Sequence, residues 1–463
     1  MRTILMIAIV CGVVLTAFGQ PVRAQAPAGA PDAAAGDAAP PQTAPDNVRT
    51  ERPYRGIFRS GVDDAGQLLT TSISLGGGYS NDRLSRPVGE TTGGLPPTFT
   101  GPFSAASGDV SYALDRDRVT FNASAGASAR YYESRHDVLP GYSAAAGGSA
   151  LLTRRLTLSG NLTGVVQPLY GLTLFPDAIA ADPGTISPID YTQDVASGAY
   201  RSVDGTAALD YALSERTGAE LYYEDSRGEL GDEHRNQTLR GAGASIHRQL
   251  TRDLGVKIGY ARRLGTYDLA DGSRTIRNDS IDAGIDYSHA LSISRHTSLA
   301  FSTGTTAISD GDTTLFRIIG HATLDRQIGR TWDAALTYSR DVGFIKTLVE
   351  PTFSDSLAMA VGGLIGRRVE LRTQIAATVG HLGFNQGDAA TGFDAYDGTA
   401  QLTIALSRNL AMSASYNYYR YTFDTGAPLS GAVFRQLDRQ SVQAGLQLWA
   451  PLLHRVRRPH AAR

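Results

Sequence analysis

The chain has 463 residues with 51 Gly, 42% apolar side chains, four Met and one Cys, a composition that fits a β-rich, turn-rich protein better than a large soluble enzyme. Its 43 Lys and Arg nearly balance 45 Asp and Glu to a formal charge of −2, so a basic nucleic-acid binder is excluded and no nucleic-acid partner is expected. Cys11 lies in the first apolar run, and a product lacking that run has no thiol chemistry, disulfide or cysteine metal site.

Arg2, the apolar stretch Ile4 to Phe18 and then Val22-Arg23-Ala24 have the layout of a cleavable secretory signal over residues 1–24. The apolar run is about 15 residues, short of the roughly 20 a spanning helix needs. Loss of Arg2 and Arg23 takes the formal charge from −2 to −4. Residues 25–66 begin as Ala, Pro, Gly, Asp and Gln with almost no large apolar side chain, and are expected to form a disordered Ala/Pro-rich segment.

From residue 67 to 450 apolar and polar residues alternate persistently. Val119, Phe121, Ala123, Ala125, Ala127, Ala129 and Tyr131 share one parity, while Thr120, Asn122, Ser124, Gly126, Ser128 and Arg130 share the other, as on a strand with one apolar and one polar face. The split recurs in Leu156, Leu158 and Leu162, in Leu254, Val256, Ile258 and Tyr260, and in Ile281, Ala283, Ile285 and Tyr287. It recurs again in Trp332, Ala334, Leu336 and Tyr338, and in Leu402, Ile404 and Leu406. Eight short connections carry a Ser, Thr, Asp or Gly close to an Arg, among them Thr153-Arg-Arg155, Ser214-Glu-Arg216, Gly366-Arg-Arg368 and Ser407-Arg-Asn409, and each reads as a tight hairpin turn. Longer polar stretches alternate with them, near 80–106, 132–141, 168–196, 225–235, 268–275, 309–314, 345–353, 383–392 and 422–436. The count predicts an all-β fold, a single transmembrane antiparallel up-and-down β-barrel of about 18 strands, with 16 as the alternative because low-contrast segments such as Tyr142 to Leu152 are easily miscounted. Residues 451–463, with four Arg and two His from Leu452 on, read as a short basic tail.

In such a barrel the apolar parity meets lipid and the polar parity the lumen. Tyr131, Tyr260, Tyr338, Tyr416 and Tyr418 fall toward the loop ends of their strands and Phe121, Trp332 and Tyr211 toward the turn ends, the positions of two aromatic girdles. The lumen parity carries Arg130, Asp204, Asp210, Glu220, Lys257, Asp282, Asp286, Asp325, Asp333, Glu370 and Arg372, mostly acidic. Those carboxylates either hold a negative potential that favours cations or pair with Arg across the wall. The stretch 168–196 is apolar for a loop, with Leu169, Tyr170, Leu172, Leu174 and Phe175 before Asp177, and is expected either to fold inward as a constriction or to form a contact patch at the surface. No catalytic constellation is present: there is no nucleophile elbow, no His-Glu-x-x-His run and no phosphate loop, so neither an enzyme nor a cofactor or metal site is expected.

The signal, the tether, the strand alternation and the Arg-bearing turns together resemble the outer-membrane β-barrels of Gram-negative bacteria over residues 67–449. Within that class the chain is similar to porin-type channels of 16 to 18 strands and to eighteen-stranded barrels associated with exopolysaccharide export. It departs in two ways: Trp449 is followed by a tail, where many such barrels end on an aromatic, and 168–196 carries no porin constriction-loop motif. The resemblance implies location in the cell outer membrane, with lipid, the barrel assembly machinery and, for an exporter, periplasmic proteins as partners. It implies a porin-like channel for diffusion of hydrophilic solutes. The alternatives are a dedicated exopolysaccharide-export barrel or a non-conducting structural or adhesive barrel.

Overall fold

In the computed structural model the alternation becomes eighteen strands in one sheet that closes on itself. They are β1 (Ala65–Ser85), β2 (Gly101–Arg116), β3 (Val119–Tyr132), β4 (Asp137–Thr153), β5 (Leu156–Gln167), β6 (Tyr200–Ser214), β7 (Thr217–Leu230), β8 (Arg235–Gln249) and β9 (Leu254–Leu269). The second half comprises β10 (Gly272–Ala290), β11 (Thr297–Asp310), β12 (Thr313–Ile328), β13 (Trp332–Gly343), β14 (Thr352–Ile365), β15 (Val369–Leu382), β16 (Gly392–Ala405), β17 (Leu410–Phe423) and β18 (Gln436–Val456). The structure describes residues 65–456 apart from 86–99, 135, 168–199, 231–234, 252, 270–271, 291–296, 311–312, 330, 345–349, 384–390 and 425–434. The signal, most of the Ala/Pro-rich segment, the end of the tail and the apolar loop with Leu169, Tyr170, Leu172, Leu174, Phe175 and Asp177 lie outside the described residues.

Each strand pairs antiparallel with its neighbour in sequence, and β1 with β18 completes the circle, so no edge is left to expose unpaired backbone groups. Two local chemistries make the short turns. In one, a hydroxyl at the strand end accepts the backbone N–H two residues on, as Thr153 does from Arg155 at 3.2 Å, Ser214 from Arg216 at 3.3 Å and Ser407 from Asn409 at 3.3 Å. In the other, Gly329 and Gly366 turn the chain at φ of 70° and 71°, a region costly for any residue with a Cβ.

The eighteen strands leave the sixteen-strand alternative behind, and the low-contrast segment from Tyr142 is an ordinary part of β4. At the loop side the strands outrun their apparent ends. Residues 225–230 continue β7, and 80–85 and 101–106 continue β1 and β2, where the sequence suggests connections. The ladder persists there although the apolar alternation has stopped, because backbone pairing needs no apolar face once the strand has left the lipid. β18 likewise passes residue 450 and runs to Val456, since Gln67, Leu68 and Leu69 of β1 still pair with Arg455, His454 and Leu453.

The two parities differ in crowding, which identifies inside from outside. On β3, Phe121, Ala125, Ala127 and Tyr131 are exposed, as on a convex wall, whereas Arg130 and Tyr132 are buried, as on a concave one. Large apolar side chains recur on the convex parity all round, including Leu75, Leu162, Leu221, Ile258, Ile318, Val379 and Val442. Phe121 and Tyr131 stand ten positions apart on β3, which at about 3.3 Å per residue and a tilt near 40° corresponds to a band about 25 Å tall. That is the height of a lipid-facing belt.

Candidate functional site: the inner wall

The inner wall has two halves. Toward the short turns it is mainly polar: on β3, Thr120 and Asn122 are exposed and Ser124 and Ser128 half-buried, and on β11, Ser298 and Ser302 are half-buried, whereas Gln327, Glu370 and Thr403 on β12, β15 and β16 are buried. Hydroxyls pair across neighbouring strands, Thr70 with Ser111 at 2.6 Å and Ser74 with Ser107 at 2.5 Å, which satisfies them without filling the lumen.

Most of the candidate charges stand in this half or at mid-height. Asp210 and Glu220 are directly opposite each other on β6 and β7. Glu220 accepts a long hydrogen bond from Ser245 at 3.4 Å, and Lys257 and His247 lie within electrostatic range of it. The His247 ring lies where a Cβ on Gly218 would stand, 2.4 Å from its Cε1. Asp204 accepts from Ser226 at 2.5 Å. On the far side of the barrel, Asp325 and Asp333 are half-buried on β12 and β13, and Arg372 pairs with Glu370 at 2.8 Å on β15. Register puts Asp282 and Asp286 on the same parity of β10, opposite Gly259 and Gly255, while their side chains lie outside the described residues. Arg130 is the exception in height: it stands near the loop end of β3, buried, with its guanidinium 4.3 Å from the Phe103 ring centre and donating to the Tyr132 hydroxyl at 3.3 Å.

Toward the long connections the same parity is buried, and large aromatic and aliphatic side chains are set there among buried polar ones such as Ser80, Ser202, Asn278, Thr306 and Ser441. Tyr419, Tyr421 and Phe423 follow one another up β17, edge to face at 5.9 and 5.5 Å, and Phe393 on β16 packs on Phe423 at 5.6 Å. Leu437 continues the band on β18, Phe103 and Tyr132 on β2 and β3 at 5.5 Å, and Tyr267, Ile276 and Ile308 on β9 to β11. Into this half is set a buried ion pair across the closing seam: Arg439 on β18 grips Asp82 on β1 through two contacts of 2.7 and 2.5 Å, with side chains 4% and 0% exposed. A second pair, Arg263 with Glu224 at 2.5 Å, joins β9 to β7 over the intervening strand. Gly241 on β8 permits it, since a Cβ there would lie 2.6 Å from Glu224 Cγ. Glu350, which leads into β14, reaches Arg274 on β10 at 2.7 Å, across the inner face of β11 to β13.

Sequence reading misses this apolar tier. Its signal was present, because Tyr419, Tyr421 and Phe423 share the parity of Ser413, Ser415 and Asn417 and so face inward. Among the described residues no group of three His, Cys, Asp or Glu could hold a metal ion. The fold defines a class, a closed antiparallel barrel of eighteen strands with an apolar outer belt, the architecture of transmembrane β-barrels.

No family model and no curated protein matches the sequence. Solved structures to which it is similar include OpdL of Pseudomonas aeruginosa, at 10% identity and a TM-score of 0.41 over 84% of this chain and 99% of that one. OccK2 (OpdF) of the same organism, solved with glucuronate, gives 11%, 0.41, 85% and 99%. OccAB4 of Acinetobacter baumannii gives 10%, 0.40, 83% and 98%.

Proposed function

We propose that this chain is a channel of the outer membrane for hydrophilic solutes, with an acid-leaning lumen that favours cations and a narrowed outer half. The observation that carries the reading is the inner wall: a belt made for lipid encloses a wall that, among the described residues, is mainly polar in its turn-side half. A wall of Ser, Thr and Asn with carboxylates such as Asp210, Glu220, Asp325 and Asp333 offers hydrogen bonds and a negative potential to a passing solute. The activity assigned is transport.

The test is single-channel conductance of the full chain in a planar bilayer, with the reversal potential read in a salt gradient. Stable steps with cation preference support the channel; anion preference defeats the assigned selectivity. The buried apolar tier favours one second reading, a polysaccharide-export barrel that is shut without its periplasmic partners. Its signature is silence from folded, inserted protein together with conductance after that tier is trimmed.

A further inference from the structure

The outer surface of β7 to β9 carries a groove with a charged cap. Ala242 and Ala244 are successive outward residues of β8, and their register partners are larger on both sides: Tyr223 and Arg262 flank Ala242, and Leu221 and Tyr260 flank Ala244. Leu221, Tyr223 and Tyr260 are exposed, so they stand proud of a strip floored by two methyl groups, inside the lipid belt. Ile246 closes the strip toward the turns and Arg240 toward the loops.

At the loop end the groove meets guanidiniums that outnumber their carboxylates. Arg227 and Arg240 share Asp225 at 3.0 and 3.2 Å, and Arg262 and Arg277 share Asp279 at 3.7 and 2.6 Å. The carboxylates are the recessed members, at 25% and 27% exposure, while Arg240 at the loop end of the groove floor and Arg262 on its β9 wall are 57% and 44% exposed. Arg240 and Arg277 engage their carboxylates through Nε, which leaves the terminal nitrogens of each fork for another acceptor. Tyr260 donates to Asp279 at 2.6 Å and so fixes one carboxylate beneath its two cations. The further pair Arg201–Glu229 and the acid Asp268 lie nearer the strand ends, away from the groove.

We infer that this face holds an acylated lipid bearing a phosphate monoester, one acyl chain lying along Ala242 and Ala244 and the phosphate between Arg240 and Arg262. A phosphate monoester carries up to two charges and three acceptor oxygens, which matches two triads each one charge positive. Continuity of the cationic cap with an apolar groove selects a lipid over free phosphate, because only a lipid uses both. The inference rests on the membrane-spanning reading above.

The experiment uses the full chain in phosphatidylcholine nanodiscs containing a minor share of dioleoyl phosphatidic acid, with retained lipid counted by native mass spectrometry. Three double variants are compared: R240Q/R262Q at the cap, A242L/A244L filling the groove, and R248Q/R326Q as exposed outward arginines at the turn ends. Retention is expected to fall about tenfold or more in each of the first two and to hold in the third. Unchanged retention in the cap or groove variant overturns the inference, as does an equal loss in the turn-end control. Displacement by inorganic phosphate, with A242L/A244L neutral, overturns it in favour of a free-phosphate site. Failure of the wild type to float with vesicles at all refutes the membrane reading instead, which separates the two failures.

Discussion

β17 contains both halves of the inner wall on one strand and one parity. Ser413, Ser415 and Asn417 line its turn half, half-buried and polar, while Tyr419, Tyr421 and Phe423 line its loop half, buried and aromatic. Both sets face inward by the same pleat, yet one half stays half-buried and polar and the other packs like a core. Parity therefore decides which way a residue points, and height along the strand decides what it meets there.

The largest test of that contrast is at the seam. Replacing Arg439 with Met removes the cation from the fully buried Asp82 carboxylate, and is expected to cost about 3–5 kcal/mol, read as a fall in the urea midpoint of the folded barrel. The double change D82L/R439M is expected to restore most of it, because matched apolar groups need no solvation; equal damage from single and double variants would show that the pair is needed for more than mutual neutralisation.

Next comes the aromatic tier. Tyr421→Ala removes a fully buried ring, with an expected loss of about 3 kcal/mol, and is expected to raise single-channel conductance. Ser415→Ala, three turns of the pleat lower on the same face, is expected to do neither. Conductance unmoved by Tyr421→Ala would mean that the outer tier does not limit the path.

In the polar half the effects move from stability to selectivity. Asp210→Asn with Glu220→Gln is expected to shift the reversal potential toward zero while changing stability by no more than about 1 kcal/mol. An unaltered reversal potential would assign cation preference to other carboxylates. The smallest effect is expected from Gly218→Ala, whose methyl group displaces the His247 ring: a stability change under about 1 kcal/mol and a slight change in conductance.

Much of this molecule is legible without coordinates because a lipid-exposed closed sheet leaves a simple trace. Period two separates Phe121 and Tyr131 from Asn122 and Arg130, and Ser, Thr or Gly beside Arg marks the short turns. The strand extensions past Tyr223 were hidden for the opposite reason: Asp225, Arg227 and Glu229 alternate with nothing apolar, so the ladder continues with no hydropathy signal. The candidate charges were separable by parity, but their partners were not. Arg263 meets Glu224 across a whole strand, through a space that exists because residue 241 is Gly.

By itself, then, the order of residues narrowed the strand count to about eighteen, with sixteen left open, and determined the antiparallel succession and the side each residue takes, all of which follow from local alternation and turn chemistry. Closure decided the rest. Asp82 and Arg439 lie 357 positions apart and become a buried pair only when β1 meets β18, and the inward aromatics become a tier only when curvature crowds them from many strands at one height. Those are properties of a circle, and no window of sequence contains one.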